Sequence, residues 1–94
     1  MDTRATSAAT SAGLRVVVKA FARARELLGC DTLSLELPSG STVAAIRPLL
    51  IERAPAFADI ASSTRVARNG SLARLSDALN DGDEIALLPP VGGG

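Results

Sequence analysis

The sequence predicts an α+β domain, one sheet with a helix packed on one face. Three observations carry that prediction. A β-branched run, Leu14 to Phe21, is followed by a cleanly alternating one, Thr32 to Leu37. A helical apolar spacing comes next, at Val43, Ile46 and Leu50. An Asn69-Gly70 pair then precedes a last apolar run, Asp83 to Leu88.

Length and composition bound the rest. Ninety-four residues make one domain. Met1 to Gly13 is small, polar and without periodicity, so residues 1–13 are expected to be a disordered extension, 14–88 the folded unit and 89–94 a flexible tail. A transit peptide is a weak alternative for the extension, which holds one Arg and one Asp. With Phe21 and Phe57 as the only aromatics, the core must be built from Leu, Ile, Val and Ala. Acids and bases balance at ten each, which leaves no electrostatic footprint for nucleic acid or an anionic membrane. Lys19 is the only lysine. One cysteine excludes an internal disulfide, and with no histidine no metal site is expected. No apolar stretch approaches a membrane span and the N-terminus lacks an h-region, so a soluble cytoplasmic protein is expected.

The elements follow in order. In the first strand Leu14, Val16, Val18 and Ala20 form an apolar side, while Arg15, Val17, Lys19 and Phe21 mix charge with bulk. Residues 22–30 form a loop or short helical turn ending at Gly29. In the second strand Leu33, Leu35 and Leu37 point inward, in a hairpin with the first. Ser41 or Thr42 is the expected N-cap of the helix. Pro48 would lie several residues inside it, so a kink or a displaced start is expected. Pro55 ends the helix, and Phe57 and Ile60 pack an irregular connection. Thr64–Asn69 and Ser71–Leu75 are two short strands about the Asn69-Gly70 turn, where both central positions favour positive φ. Asp81-Gly82 turns the chain into the last strand.

The end of the chain carries the functional signal. That strand runs into Pro89-Pro90-Val91-Gly92-Gly93-Gly94. Prolines withhold backbone donors and end sheet pairing, so the tail leaves the sheet. Glycines lack Cβ, so the thread is thin enough to enter a narrow active site. Six extended residues span about 20 Å, enough to reach into a partner. The α-carboxylate of Gly94, with a reference pKa of about 3.5, is ionised and a poor electrophile until another molecule activates it. The alternative for terminal glycines alone is a frayed end. Phe21, Leu72 and Leu88 are candidates for an apolar patch on the uncovered sheet face; the alternative is that residues 22–30 cap Phe21 into the core. Cys30 has no basic neighbour to activate it and is read as a small loop or core residue.

Three stretches then suggest a family: Phe21-Ala-Arg-Ala-Arg25-Glu26-Leu-Leu-Gly29, Asn80-Asp81-Gly82-Asp83-Glu84, and Pro89-Pro90-Val91-Gly92-Gly93-Gly94. In their order and spacing the chain from Leu14 onward resembles the small subunits of molybdopterin synthase, ubiquitin-like sulfur carriers of the β-grasp fold. The resemblance implies one mixed sheet with a helix on one face. It implies that Gly94, with Gly93 behind it, is adenylated by an activating enzyme using MgATP and then thiocarboxylated. The sulfur would pass to cyclic pyranopterin monophosphate inside a large synthase subunit, in a heterotetramer. No cofactor is bound by the carrier itself, which has no phosphate-binding loop and no histidine base. By position, Phe21, Leu72 and Leu88 match the family's apolar partner contact, Pro89 and Pro90 lead the tail, and Arg25 is a polar contact or a solvated loop arginine. The family often has Phe where this chain has Leu87 and Leu88. Other readings are a related carrier for thiamin, cysteine or tRNA thiolation, a ubiquitin-like modifier or adaptor acting through Gly94 or the sheet face, and a plain interaction module with an inert tail.

Overall fold

The structure is a computed structural model that describes residues 13–89. Five strands, β1 (Gly13–Ala20), β2 (Thr32–Pro38), β3 (Arg65–Arg68), β4 (Ser71–Leu72) and β5 (Glu84–Leu88), form one mixed sheet in the order β2-β1-β5-β3-β4. Three helices, α1 (Ala22–Leu28), α2 (Ile46–Arg53) and α3 (Ala58–Ala61), are joined by 3-10 turns at Val43–Ala45 and Pro55–Phe57. β1 pairs antiparallel with β2, Val16 opposite Leu35, and parallel with β5, Val18 opposite Ile85. β3 lies antiparallel to both β5 and β4. The sequence-predicted α+β class, with one mixed sheet and helix on one face, is what the chain adopts.

The alternation of β1, β2 and β5 decides which face is covered. Val16, Val18, Leu35, Leu37, Ile85 and Leu87 all point to the same side and are buried. Val43, Ile46 and Leu50 descend on them from the helical side, joined by Phe57, which is fully buried in its 3-10 turn. Burying each such side chain is worth about 1.5–3 kcal/mol, and this layer is the core.

Several boundaries differ from the sequence expectation. The α-helix starts at Ile46, after the 3-10 turn, so Pro48 falls in its first turn, where the missing N–H is not needed. Of the two expected outcomes, a displaced start is the one adopted. Neither Ser41 nor Thr42 caps the helix with its side chain: Ser41 Oγ donates to the Pro38 carbonyl, and Thr42 makes no cap bond. The amides of Val43 and Ala44 instead donate to the carbonyls of Asp77 and Leu75, at 2.9 Å each. Ala73 still donates to the Val66 carbonyl at 2.8 Å, and beyond it the tether at Leu75 and Asp77 draws the chain from β3, so β4 has two residues and does not run to Leu75. Residues 22–30 adopt the expected short helical turn, α1, closed by Gly29 at φ 77°, and β1 and β2 pair antiparallel across it as expected.

Asn69 (φ 51°) and Gly70 (φ 90°) make the left-handed turn expected of them, and Asn69 also does long-range work. Its side-chain amide donates to Asp83 at 3.0 Å and its side-chain oxygen accepts the Glu84 amide at 2.9 Å. Asp83, almost fully buried, further accepts from the Asn80 amide at 2.8 Å and Arg68 at 3.1 Å. Burial pushes this carboxyl up, but the Asn80 amide, the Asn69 amide group and the Arg68 guanidinium together hold it below the usual carboxylate range. β5 thus begins at Glu84, one residue later than its sequence pattern suggests, because Asp83 is spent fastening two turns together.

Removing this acceptor strands three donors. Asp83→Ala is expected to lower unfolding free energy by about 2–3 kcal/mol in urea titrations at neutral pH. Since the folded pKa lies below the unfolded value of about 3.9, the contribution is complete above that pH and vanishes as pH falls through the folded value. Stability measured across this acidic window should therefore fall less steeply in Asp83→Asn than in the parent; an equal slope would show that Asp83 does not carry the acid sensitivity.

Candidate functional site

β5 occupies the middle of the sheet, between β1 and β3, and leads straight to the tail. The described chain ends at Pro89; the predicted site residues Pro90, Gly93 and Gly94 lie outside the described residues. What the structure describes is the surface around the end of β5 and Pro89.

On the face away from the helices, β5 presents Glu84, Ala86 and Leu88, and β1 presents Arg15, Val17 and Lys19. Phe21 follows with an extended backbone, φ −127° and ψ 157°, so it continues that outward series although it serves as the N-cap residue of α1. It is 50% exposed, which removes the alternative that residues 22–30 cap it into the core. Leu88 is 38% exposed and sits opposite Arg65. Leu72, 59% exposed, sits opposite Ala67, which in turn faces Ala86. The register therefore places Phe21, Leu88 and Leu72 on one side of the sheet with small alanines between them, a low surface into which larger groups can settle. Lys19 and Glu84 border it as an ion pair at 3.0 Å, exposed and worth under about 1 kcal/mol.

The turn after Phe21 is strained. Ala22 has φ 50°, a left-handed conformation that costs a residue with a Cβ about 1–2 kcal/mol. It bends the chain from β1 into α1 immediately behind Phe21. Arg25 lies in the last turn of α1 with an exposed side chain, and its backbone carbonyl accepts the Gly29 amide. Cys30 is half-buried against the core, its sulfur 3.8 Å from the Leu28 carbonyl. Among the described residues no cluster of His, Cys, Asp or Glu could hold a metal ion, and no helix is long and apolar enough to cross a membrane.

Sequence reasoning missed Arg65 and Arg47. Arg65 neighbours Leu88 only through the β3–β5 register, and Arg47 reaches the same region from α2, donating to the Thr64 carbonyl at 2.8 Å. Nothing in the local sequence signals either placement.

A five-stranded sheet of this order, crossed on one face by a helix and with its last strand central, defines a ubiquitin-like β-grasp protein. Residues 18–94 match the ThiS family, and the chain belongs to it. It is similar to a molybdopterin synthase sulfur carrier subunit of Arabidopsis thaliana, 36% identical over 89% of this chain and 88% of the relative. A subunit of the same description from Haemophilus influenzae is 40% identical, over 79% of this chain and 93% of the relative. Among solved structures, crystalline SAMP1 from Haloferax volcanii superimposes with a TM-score of 0.76 at 32% identity, covering 85% of this chain and 99% of that one. The family resemblance drawn from the three sequence stretches is borne out.

If the patch is surface and not core, Phe21→Ala, Leu72→Ala and Leu88→Ala should each change stability by less than about 1 kcal/mol in thermal melts. A loss above about 2 kcal/mol at any of them would make that side chain a packing residue. Ala22→Gly should raise stability by up to about 1 kcal/mol, because glycine adopts positive φ without the Cβ clash; a lower melting temperature would mean that the backbone there is unstrained.

Proposed function

We propose that this chain is a sulfur carrier, the small subunit of a molybdopterin synthase. The observation that carries the reading is the match that runs through the C-terminus at Gly94, together with two relatives described as molybdopterin synthase sulfur carrier subunits. The exposed group of Phe21, Leu72 and Leu88 beside the root of the tail supports it, as a surface on which a larger subunit docks while the tail enters that subunit's active site.

In this reading the Gly94 carboxylate attacks the α-phosphorus of MgATP held by an activating enzyme, releasing pyrophosphate and forming an acyl-adenylate. A sulfur nucleophile then displaces AMP at the acyl carbon and leaves a thiocarboxylate. Its sulfur is delivered to cyclic pyranopterin monophosphate. The dithiolene needs two sulfurs, so the carrier is recharged or replaced between transfers. This chain contributes no acid or base: Pro89 and Pro90 stiffen the exit, Gly93 and Gly94 pass through a narrow channel, and the partners supply catalysis.

The Haloferax relative is described as a small archaeal modifier protein, 33% identical over 81% of this chain. That favours a second reading, in which Gly94 is joined to lysines of target proteins. The two differ in product: the carrier bears a labile thiocarboxylate, the modifier a stable amide.

Intact-mass measurement after incubation with an activating enzyme, MgATP and a sulfur source distinguishes them. An exchange of oxygen for sulfur at Gly94, absent when Gly93 and Gly94 are deleted, is the expected result. Conjugates to lysine without any exchange would establish the modifier reading. Phe21→Asp should weaken binding to the large subunit at least about 100-fold, as expected for a charge in a desolvated apolar contact, with the melting temperature unchanged; undiminished affinity would remove the patch from the docking surface.

A further inference from the structure

A second feature lies at the β3–β4 end of the sheet. Arg47, Ser62, Ser63, Thr64, Arg65 and Leu75 help to line a depression of about 190 Å³ between α2, the end of α3 and β4. Leu72 lies on its rim and also belongs to the apolar patch, so the two surfaces are continuous.

The charges here are unbalanced. Two arginines and no acidic residue are among the residues that line the depression, and among the described residues neither Arg47 nor Arg65 takes part in an ion pair. By contrast, Arg15, Arg23 and Arg68 are each paired with an acid. A terminal N–H of Arg47 donates to the Thr64 carbonyl, which fixes its guanidinium, yet its Nε is buried with no acceptor among the described residues. An unanswered buried donor costs about 1–3 kcal/mol, and this one sits on a side chain that lines the depression. Ser62 and Ser63 add polar groups to the wall, and Val66, Leu72, Ala73 and Leu75 make the remainder apolar.

We infer that this depression receives a glutamate side chain from the surface of the protein that docks on the adjoining apolar patch. The carboxylate meets the guanidinium groups of Arg47 and Arg65, and the methylenes lie along Leu72 and Leu75. The apolar walls select a carboxylate on an aliphatic stem over a bare inorganic anion, since a small anion would leave them wet. Partner docking belongs to the proposed function; the ligand chemistry of the depression stands on Arg47, Arg65 and their surroundings, and its test needs neither the tail nor a synthase.

The test is an NMR titration of the full chain, isotopically labelled, with the peptide acetyl-Leu-Glu-Leu-amide and with its glutamine counterpart. The glutamate peptide is expected to shift the side-chain signals of Arg47 and Arg65 and the amides of Ser63, Thr64 and Leu75 saturably, at least tenfold more tightly than the glutamine peptide. Arg65→Glu, at an exposed position, should abolish the difference while the amide spectrum elsewhere stays that of the folded parent. Equal responses to the two peptides, shifts confined to other arginines, or no shift at Arg47 at any concentration would overturn the inference. A parallel titration with a molybdopterin synthase large subunit separates the two ideas. Loss of binding in Phe21→Asp with unchanged binding in Arg65→Glu would leave docking intact and refute the acidic contact.

Discussion

The structure depends on the last strand being the central one. β5 pairs with β1 on one side and β3 on the other, so neither half of the sheet is joined to the other until residues 84–88 are in place. Its pairing with β1 is parallel, and parallel neighbours need a long crossover, here everything from α1 to the Asp81-Gly82 turn. Ile85 and Leu87 are correspondingly among the most buried side chains. A segment leaving a central strand starts from the most rigid part of the sheet, with both ladders holding its root. In the proposed function, where residues 90–94 enter another protein's active site, a rigid root limits the conformational freedom lost on docking.

The start of β5 is held as firmly as its middle. Asp83 collects donors from Asn80, Asn69 and Arg68, tying the turn before β5 to the turn between β3 and β4. A buried carboxylate is stabilising only when its acceptor capacity is filled, and here it is filled by groups from both turns. The same residues set the register that brings Leu88 beside Arg65 and Ala86 beside Ala67, and hence compose the exposed face.

The two faces have unequal tasks. One is filled by α2, α3 and Phe57, and the other keeps Phe21, Leu72 and Leu88 exposed to water. In a domain this small, three large apolar side chains left uncovered are a substantial fraction of the available core material. The strained Ala22 turn right after Phe21 is a second cost borne at the same place. Both are consistent with a surface shaped for binding, and the depression lined by Arg47 and Arg65 adjoins it at Leu72.

Much of this was legible in the sequence because it depends on local pattern. Period-two alternation marks β1, β2 and β5 and their inward residues, Asn69-Gly70 calls for positive φ at both positions, and Pro48 forbids an uninterrupted helix from Thr42. The terminal Pro-Pro-Val-Gly-Gly-Gly run and the two internal motifs were sufficient to suggest the family. What the sequence could not decide are contacts between segments far apart in the chain. The early end of β4 follows from the Val43 and Ala44 amides bonding across to Asp77 and Leu75, and the capping role expected of Ser41 or Thr42 is taken by that same backbone. Asp83 read locally as the first residue of a strand, and only the approach of Asn69 and Arg68 made it a buried acceptor. Arg47 and Arg65, 18 positions apart in the sequence, share a depression because α2 and β3 meet there. Local pattern specifies which side of each element is apolar, since that follows from the period of its own backbone; which elements become neighbours follows from the register of the closed sheet, and that exists only once the last strand has been inserted.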